Sequence, residues 1–365
     1  MNFFDTYVSP NASDIIRKVL NSTFLSEGKL VKDLENKLNE ELGLCKPVAV
    51  NSGTSALHLA LAIAGIKSGD EVIIPAQTFV ATGLAALMQN AKPVFADIQY
   101  ETGNIDPEDI LKKISDKTKA IIPVHWAGYP CDMDEINEIA RENNLAVIED
   151  AAHALGAVYK NRPIGSISRF TAFSFQAIKH LTTGDGGALC CLSDGDYNAA
   201  RRRRWFGIDR ENSKPSILGE REYDLVELGY KYHMNDYSAA LGLANLEDLM
   251  QQLFRRKEIA AFYRNELKNI SGLKLLSYST DRQSVYWLFT ILVERREDFI
   301  KKLKSKNIPT SVVHLSIDRY SILGGEKKDL VQQQRFNRDQ VSIPIHSHLS
   351  DEDIKLIVET IQSGW

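Results

Sequence analysis

The sequence predicts an α/β protein in which a mainly parallel seven-stranded sheet forms a large domain and a smaller α/β domain follows it. Three observations carry that prediction. Short apolar runs of strand length recur through the first half of the chain. Segments of helix length with amphipathic spacing separate most of them. After about residue 240 the texture changes to long helical patterns with one clear apolar run.

In order, the runs are VAV from residue 48, VII from 72, PVFAD from 93, AIIPV from 120, AVIED from 146, FTAFSF from 170 and GALCCL from 187. Apolar residues stand at consecutive positions, as expected of strands covered on both faces. Between most of them lie patterns such as TSALHLALAIAG (54–65) and DMDEINEIARENN (132–144). A glycine-rich loop with no evident crossover helix joins the last two runs, which leaves room for an antiparallel final strand. The stretch 236–270, from DYSAAL to LKNI, reads as one long helical pattern leading away from the sheet. YWLFTILV (286–293) then reads as a strand and REDFIKKLKSKNI (296–308) as a helix. The expected division is a large domain over residues 1–245 and a small one over 246–365.

The bulk composition narrows the class. A chain of 365 residues suits one large domain plus a smaller one. Its 44 basic and 48 acidic residues give a net charge of −4, so nothing favours nucleic acid as the main partner. The one basic cluster, Arg201 to Arg204, reads as a helix face, an intersubunit contact or a local anion contact. Four cysteines (Cys45, Cys131, Cys190, Cys191) lack CxxC spacing and suit buried thiols better than a disulfide or zinc site. MNFFDTYVSP has no basic stretch followed by an apolar run, and no window approaches a membrane span. The expectation is a cytoplasmic protein without a membrane anchor or bound metal.

In an open parallel sheet, ligands collect beyond the carboxyl ends of the strands. NSGTSALHL follows the first run there, so Gly53, Thr54 and Ser55 form a loop and first helical turn able to hold a phosphate, or simply an N-cap. Asp150 ends AVIED, where a carboxylate needs a cation, donors or a capping role to offset its desolvation. His153 follows three residues later. Phe79 in PAQTFVAT stacks on a planar ring or packs in a core. Lys179, in FSFQAIKHLTTGDGG, is either a solvated loop lysine or an amine held where it loses its proton and attacks a carbonyl. Together these parts suit pyridoxal phosphate: an anion cradle, a stacking ring, a partner for the ring nitrogen and a Schiff-base lysine. HSH at 346–348 lacks a neighbouring acid or thiol and reads as loop, not metal site.

Several motifs in register, among them FLSEGKLVKDLE, NSGTSALHLAL, GDEVIIPAQTFVAT, VIEDAAHALGA, FSFQAIKHLTTGDGG and GYKYHMNDYSAALG, extend over nearly the whole chain. They resemble the DegT/DnrJ/EryC1/StrS family of pyridoxal-phosphate aminotransferases acting on nucleotide-linked keto sugars, which share the aspartate aminotransferase fold (fold type I). The resemblance implies that Lys179 holds the cofactor as a Schiff base and that Asp150 pairs with its ring nitrogen. It implies Thr54, Ser55 and Ser174 at the phosphate, Phe79 against the ring and His153 at the phenolic oxygen. His233 falls where many members place an Asn or Arg reaching the cofactor phosphate of the neighbouring subunit, which implies a homodimer. L-glutamate is the implied amino donor, and amino-sugar biosynthesis for a surface polysaccharide or natural product the implied setting. His314, in VVHLSIDRY, is a candidate for the substrate side. The competing readings are an aminotransferase for a non-nucleotide cyclic ketone, a sugar dehydratase of the subgroup that has histidine in place of the lysine, and a regulatory homologue without turnover.

Overall fold

Seven strands form the larger sheet in a computed structural model that describes residues 1–210 and 212–365. They are β1 (Pro47–Val50), β2 (Glu71–Pro75), β3 (Lys92–Ala96), β4 (Thr118–Ile121), β5 (Ala146–Asp150), β6 (Phe170–Ser174) and β7 (Gly187–Cys191). Every apolar run of the first half is one of these strands. Their spatial order is β1-β7-β6-β5-β4-β2-β3. β7 runs antiparallel to both neighbours and the remaining pairs are parallel. The loop 175–186 between β6 and β7 contains no helix, so the chain can only return beside the strand it left.

Alternation along each strand explains the continuous apolar runs. Val48, Val50, Ile74, Ile122 and Ile148 enter the core on one face. Ala49, Ile73, Ile121 and Val147 enter the core on the other. The covering helices are α1 (Ala12–Ser22), α2 (Lys29–Leu42), α3 (Gly53–Ile63), α4 (Val80–Met88), α5 (Pro107–Lys113), α6 (Met133–Glu142), α7 (Asp194–Arg203) and α8 (Asp236–Leu246). In α6 the buried positions Met133, Ile136, Ile139 and Ala140 make one helical stripe.

A second, antiparallel sheet contains β8 (Leu273–Leu275), β9 (Phe289–Val293) and β10 (Gln340–Ile343), with β9 central. Helices α9 (Leu249–Leu267), α10 (Arg296–Lys304), α11 (Val331–Asp339) and α12 (Asp351–Gln362) accompany it. Tyr263, Phe289, Ile291, Phe299, Val341 and Ile357 belong to its own apolar core.

Two details depart from the sequence reading. The helical stretch 236–270 breaks at Glu247 and Asp248 into α8 and α9; Asp248 sits at φ −102°, ψ −1°, and its carboxylate accepts the Tyr7 hydroxyl at 2.5 Å. The run 286–293 becomes strand only from Phe289, because Tyr286 adopts a left-handed φ of 49°. That turn takes Trp287 out of the sheet, and its N–H donates to the Ala127 carbonyl at 2.9 Å.

Candidate active site

The carboxyl ends of β1, β2, β5 and β6 open onto a cavity of about 520 Å³. Gly53, Thr54, Phe79, Asp150, His153, Ser174, Lys179 and His314 all line it, drawn together from six separate stretches of chain. Ser55 and His233 are not in its wall.

Lys179 sits on a loop that its own backbone bonds hold in shape. Phe175 N–H donates to Gly186 O at 2.8 Å, Thr183 N–H to Phe175 O at 2.9 Å and Lys179 N–H to Gln176 O at 2.9 Å. Two glycines are required there. Gly184 has φ 83°, and a Cβ on Gly187 would lie 2.5 Å from Phe173 O and 2.8 Å from Gly53 N. The Lys179 side chain is half-buried, but its ammonium end lies 3.7 Å from the centre of the Trp287 ring. Desolvation there pulls the amine down to about 7, against a smaller opposing pull from Asp150. No salt bridge to Lys179 is formed among the described residues.

Asp150 is buried at the end of β5. Its Oδ2 accepts the Thr82 hydroxyl at 2.7 Å and its Oδ1 the Ala152 N–H at 3.2 Å. Thr82 is in turn bonded to Thr78 Oγ1 at 2.6 Å. Burial raises the Asp150 carboxyl above its ordinary range, with Thr82 and Ala152 opposing the rise. A cation facing it would be held strongly. On the opposite side of the strand, fully buried Glu149 meets His125 Nε2 at 2.9 Å. His125 Nδ1 accepts the Cys131 N–H at 3.1 Å, so its Nε2 carries the proton donated to Glu149. His125 N–H also donates to Asp150 O at 3.2 Å, which ties this buried pair to the strand end.

At the start of α3, Ser52 rather than Ser55 is the capping residue: its hydroxyl accepts the Ser55 N–H at 3.0 Å. Ser55 Oγ donates to Asn51 Oδ1 at 2.6 Å and is turned away from the cavity. The cradle therefore consists of Ser52, Gly53 and Thr54, with Ser174 facing them. The first N–H groups of the helix have no carbonyl partner within it and suit an anion. A Cβ on Gly53 would come within 2.9 Å of Ser174 Cβ, so glycine keeps this approach open.

Aromatic rings make the remaining wall. Phe79 is 54% exposed and lies 5.2 Å from the His314 ring. His153 stacks on Trp287 at 3.7 Å and 10°, and its buried Nδ1 has no hydrogen-bond partner. Burial holds His153 well below the ordinary imidazole value, and lowers His314 to about 4, so both are neutral near pH 7. Gln77 and Gln340 both donate to the His314 carbonyl, at 3.1 and 3.0 Å. Trp287, Thr82 and Phe4 escaped the sequence reading. Trp287 read as part of the strand run 286–293, and neither Thr82 nor Phe4 was singled out.

His233 packs against Trp205, ring centres 3.8 Å apart, with its buried Nδ1 finding no hydrogen-bond partner among the described residues. Desolvation lowers it to about 4, so it is neutral near pH 7. The basic run finds local carboxylates: Arg202 and Arg203 both bond Glu227 at 2.6 Å, and buried Arg204 bonds Glu27 and Glu35.

The cavity fits pyridoxal phosphate in its own terms: an open helix start for the phosphate, a buried carboxylate for a ring cation, an unpartnered imidazole nitrogen and a desolvated amine. Fold and cavity together place the chain among the pyridoxal-phosphate-dependent transferases. Residues 8–362 match the model of the DegT/DnrJ/EryC1/StrS aminotransferase family, and the chain belongs to that family. It is 34% identical to a GDP-perosamine synthase of Escherichia coli O157:H7, over 96% of this chain and 95% of that one. It is also 34% identical to a UDP-4-amino-4,6-dideoxy-N-acetyl-beta-L-altrosamine transaminase of Campylobacter jejuni, over 96% and 93% of the two chains. Among solved structures, the sugar aminotransferase CalS13 from Micromonospora echinospora superposes with a TM-score of 0.95 at 34% identity, covering 100% of both chains. The chain is an aminotransferase of a sugar-aminotransferase family, and its cofactor is pyridoxal phosphate.

Proposed function

We propose that this chain moves an amino group from L-glutamate to a nucleotide-linked keto sugar of the deoxy keto-hexose type, with Lys179 and Asp150 as the catalytic residues. The observation that carries the proposal is the pairing of the two within one cavity, a lysine amine lowered to about 7 and a carboxylate held at a strand end. Pyridoxal phosphate, when bound, supplies a carbonyl that condenses with amines and a ring that takes up the electrons left by a departing proton.

The chain's residues do the rest. With its amine lowered to about 7, a large fraction of Lys179 near pH 7 would be uncharged, able to attack a carbonyl and to carry a proton from the donor's Cα to the cofactor's C4′. Asp150, locked by Thr82, keeps a proton on the ring nitrogen. Ser52, Gly53, Thr54 and Ser174 would hold the phosphate, Phe79 would cover the ring, and His153 would offer its Nδ1 to the phenolic oxygen. The substrate class is supported by the relatives, one of which carries GDP in its name and the other UDP. His314 lies at the wall where an acceptor would enter.

The proposed assembly is a homodimer with His233 directed to the neighbouring site. It is supported by an apolar strip that one chain leaves bare: Ile217 and Leu218 are 101% and 84% exposed, and Val226 and Leu228 are exposed as well. A glutamate-dependent assay over keto sugars carried on GDP, UDP and dTDP, read by product mass, tests the substrate. An amino sugar nucleotide is the expected product. Amine transfer confined to free cyclic ketones would overturn the nucleotide reading, and loss of a hydroxyl without amine gain would make the chain a dehydratase.

A further inference from the structure

We propose that Phe4, carried on an N-terminal strap that the His346–His348 pair ties down, is a substrate-contacting residue that packs against the ring of the keto sugar and favours it over the amino donor. The inference rests on the sugar-acceptor reading above. Phe4 lines the same cavity as Lys179, although it lies at the far end of the sequence. Its ring stacks on Trp287 at 5.4 Å and 28°, and Phe3 braces it edge-on at 4.8 Å. Trp287 is the ring against which the Lys179 amine rests, so Phe4 extends the apolar wall outward from the reacting end.

A chain end frays unless something holds it. Here four contacts hold residues 2 to 9. His346 Nε2 donates to Asn2 O at 3.2 Å, and His348 Nδ1 meets the Asp5 carboxylate at 2.9 Å. Tyr7 bonds Asp248 at 2.5 Å, and Ser9 N–H donates to Asn245 Oδ1 at 2.8 Å. The two histidines have no part in the catalytic reading, and this anchorage accounts for both. Phe4 is thereby fixed between two of the ties, aimed at the cavity.

The chemistry favours the sugar as its partner. L-glutamate brings two carboxylates, which gain nothing from a phenyl face, and its one amine is engaged at the reacting end rather than at the outer wall where Phe4 stands. A hexose presents a face of C–H groups that packs well on an aromatic ring, and a deoxy carbon adds a methyl group. Loss of such a contact changes discrimination by roughly tenfold or more.

The test separates the two half-reactions in the holoenzyme. Loading of the cofactor by L-glutamate and its discharge by the keto sugar are each followed through the cofactor's visible absorbance. For Phe4→Ala the expected result is a KM for the keto sugar roughly tenfold higher, with kcat and the glutamate half-reaction within about twofold of wild type. Phe4→Tyr restores most of the loss. His348→Ala, a positioning change at an exposed site outside the cavity, raises the same KM by a smaller factor. Binding of the amino-sugar product, read by tryptophan fluorescence, weakens in parallel, while the melting temperature stays near wild type. An unchanged sugar KM in Phe4→Ala, or equal losses in both half-reactions, overturns the proposal. If wild type loads from glutamate but no keto sugar discharges it, the acceptor reading itself fails and the inference goes with it.

Discussion

Removal of water, not a partner, lowers the Lys179 amine: its end rests on the Trp287 ring, and Asp150 offsets only part of the effect. The sign follows directly. With the amine lowered to about 7, capture of added pyridoxal phosphate by the cofactor-free chain accelerates as pH rises through 7 and then levels off. Stopped-flow absorbance across pH 5.5–10, about the range bracketing shifted and ordinary lysines, checks this; a rate still climbing toward 10 would show an ordinary lysine. Thr82 is the second decisive side chain, since it supplies the one side-chain donor to Asp150. Thr82→Val leaves that buried oxygen unsatisfied at a cost of about 1–3 kcal/mol. Transamination is expected to slow by roughly tenfold to a hundredfold, read as kcat, and an unaltered kcat would remove Thr82 from the account.

The 214–228 segment carries the assembly proposal. A two-stranded hairpin, Lys214–Pro215 with Arg221–Glu222, projects the side chains of Ile217 and Leu218 into solvent. Leu218→Asp is expected to shift the protein from twice the chain mass to the chain mass by sedimentation, with activity falling alongside; a monomer that keeps full activity would contradict the shared site. The loop 175–186 is the opposite case, a segment fixed by internal bonds, by the left-handed Gly184 and, at its exit into β7, by Gly187, where a Cβ would meet Phe173 O. The sequence left room for its antiparallel return, because a glycine-rich connection without an evident crossover helix suits one. The break at Glu247–Asp248 was not readable: no glycine or proline marks it, and the tie that accompanies it is Tyr7, 241 positions away.

Across the whole molecule, what the sequence disclosed and what it hid divide along the range of the interactions. The seven strands were legible because both faces of the sheet are buried, which leaves unbroken apolar runs. Gly53, Thr54, Phe79, Asp150 and Lys179 were legible as a set because the strand ends of a parallel sheet open on one edge, and Ser174 was reached through the family resemblance. Trp287 was hidden by the left-handed turn at Tyr286, and Phe4 by ties from the chain's far end. The Ser55 hydroxyl bonds Asn51 and its N–H bonds the Ser52 hydroxyl, local partners that the sequence reading did not resolve. The cavity-lining residues among them converge on a site that fits one cofactor. The most direct measurement is the visible absorbance of the purified enzyme through one full cycle. The account predicts a yellow protein whose band is lost on adding L-glutamate and regained on adding a keto sugar nucleotide, with neither change in Lys179→Ala. A wild-type protein that stays colourless with pyridoxal phosphate, or whose band L-glutamate leaves untouched, would contradict it.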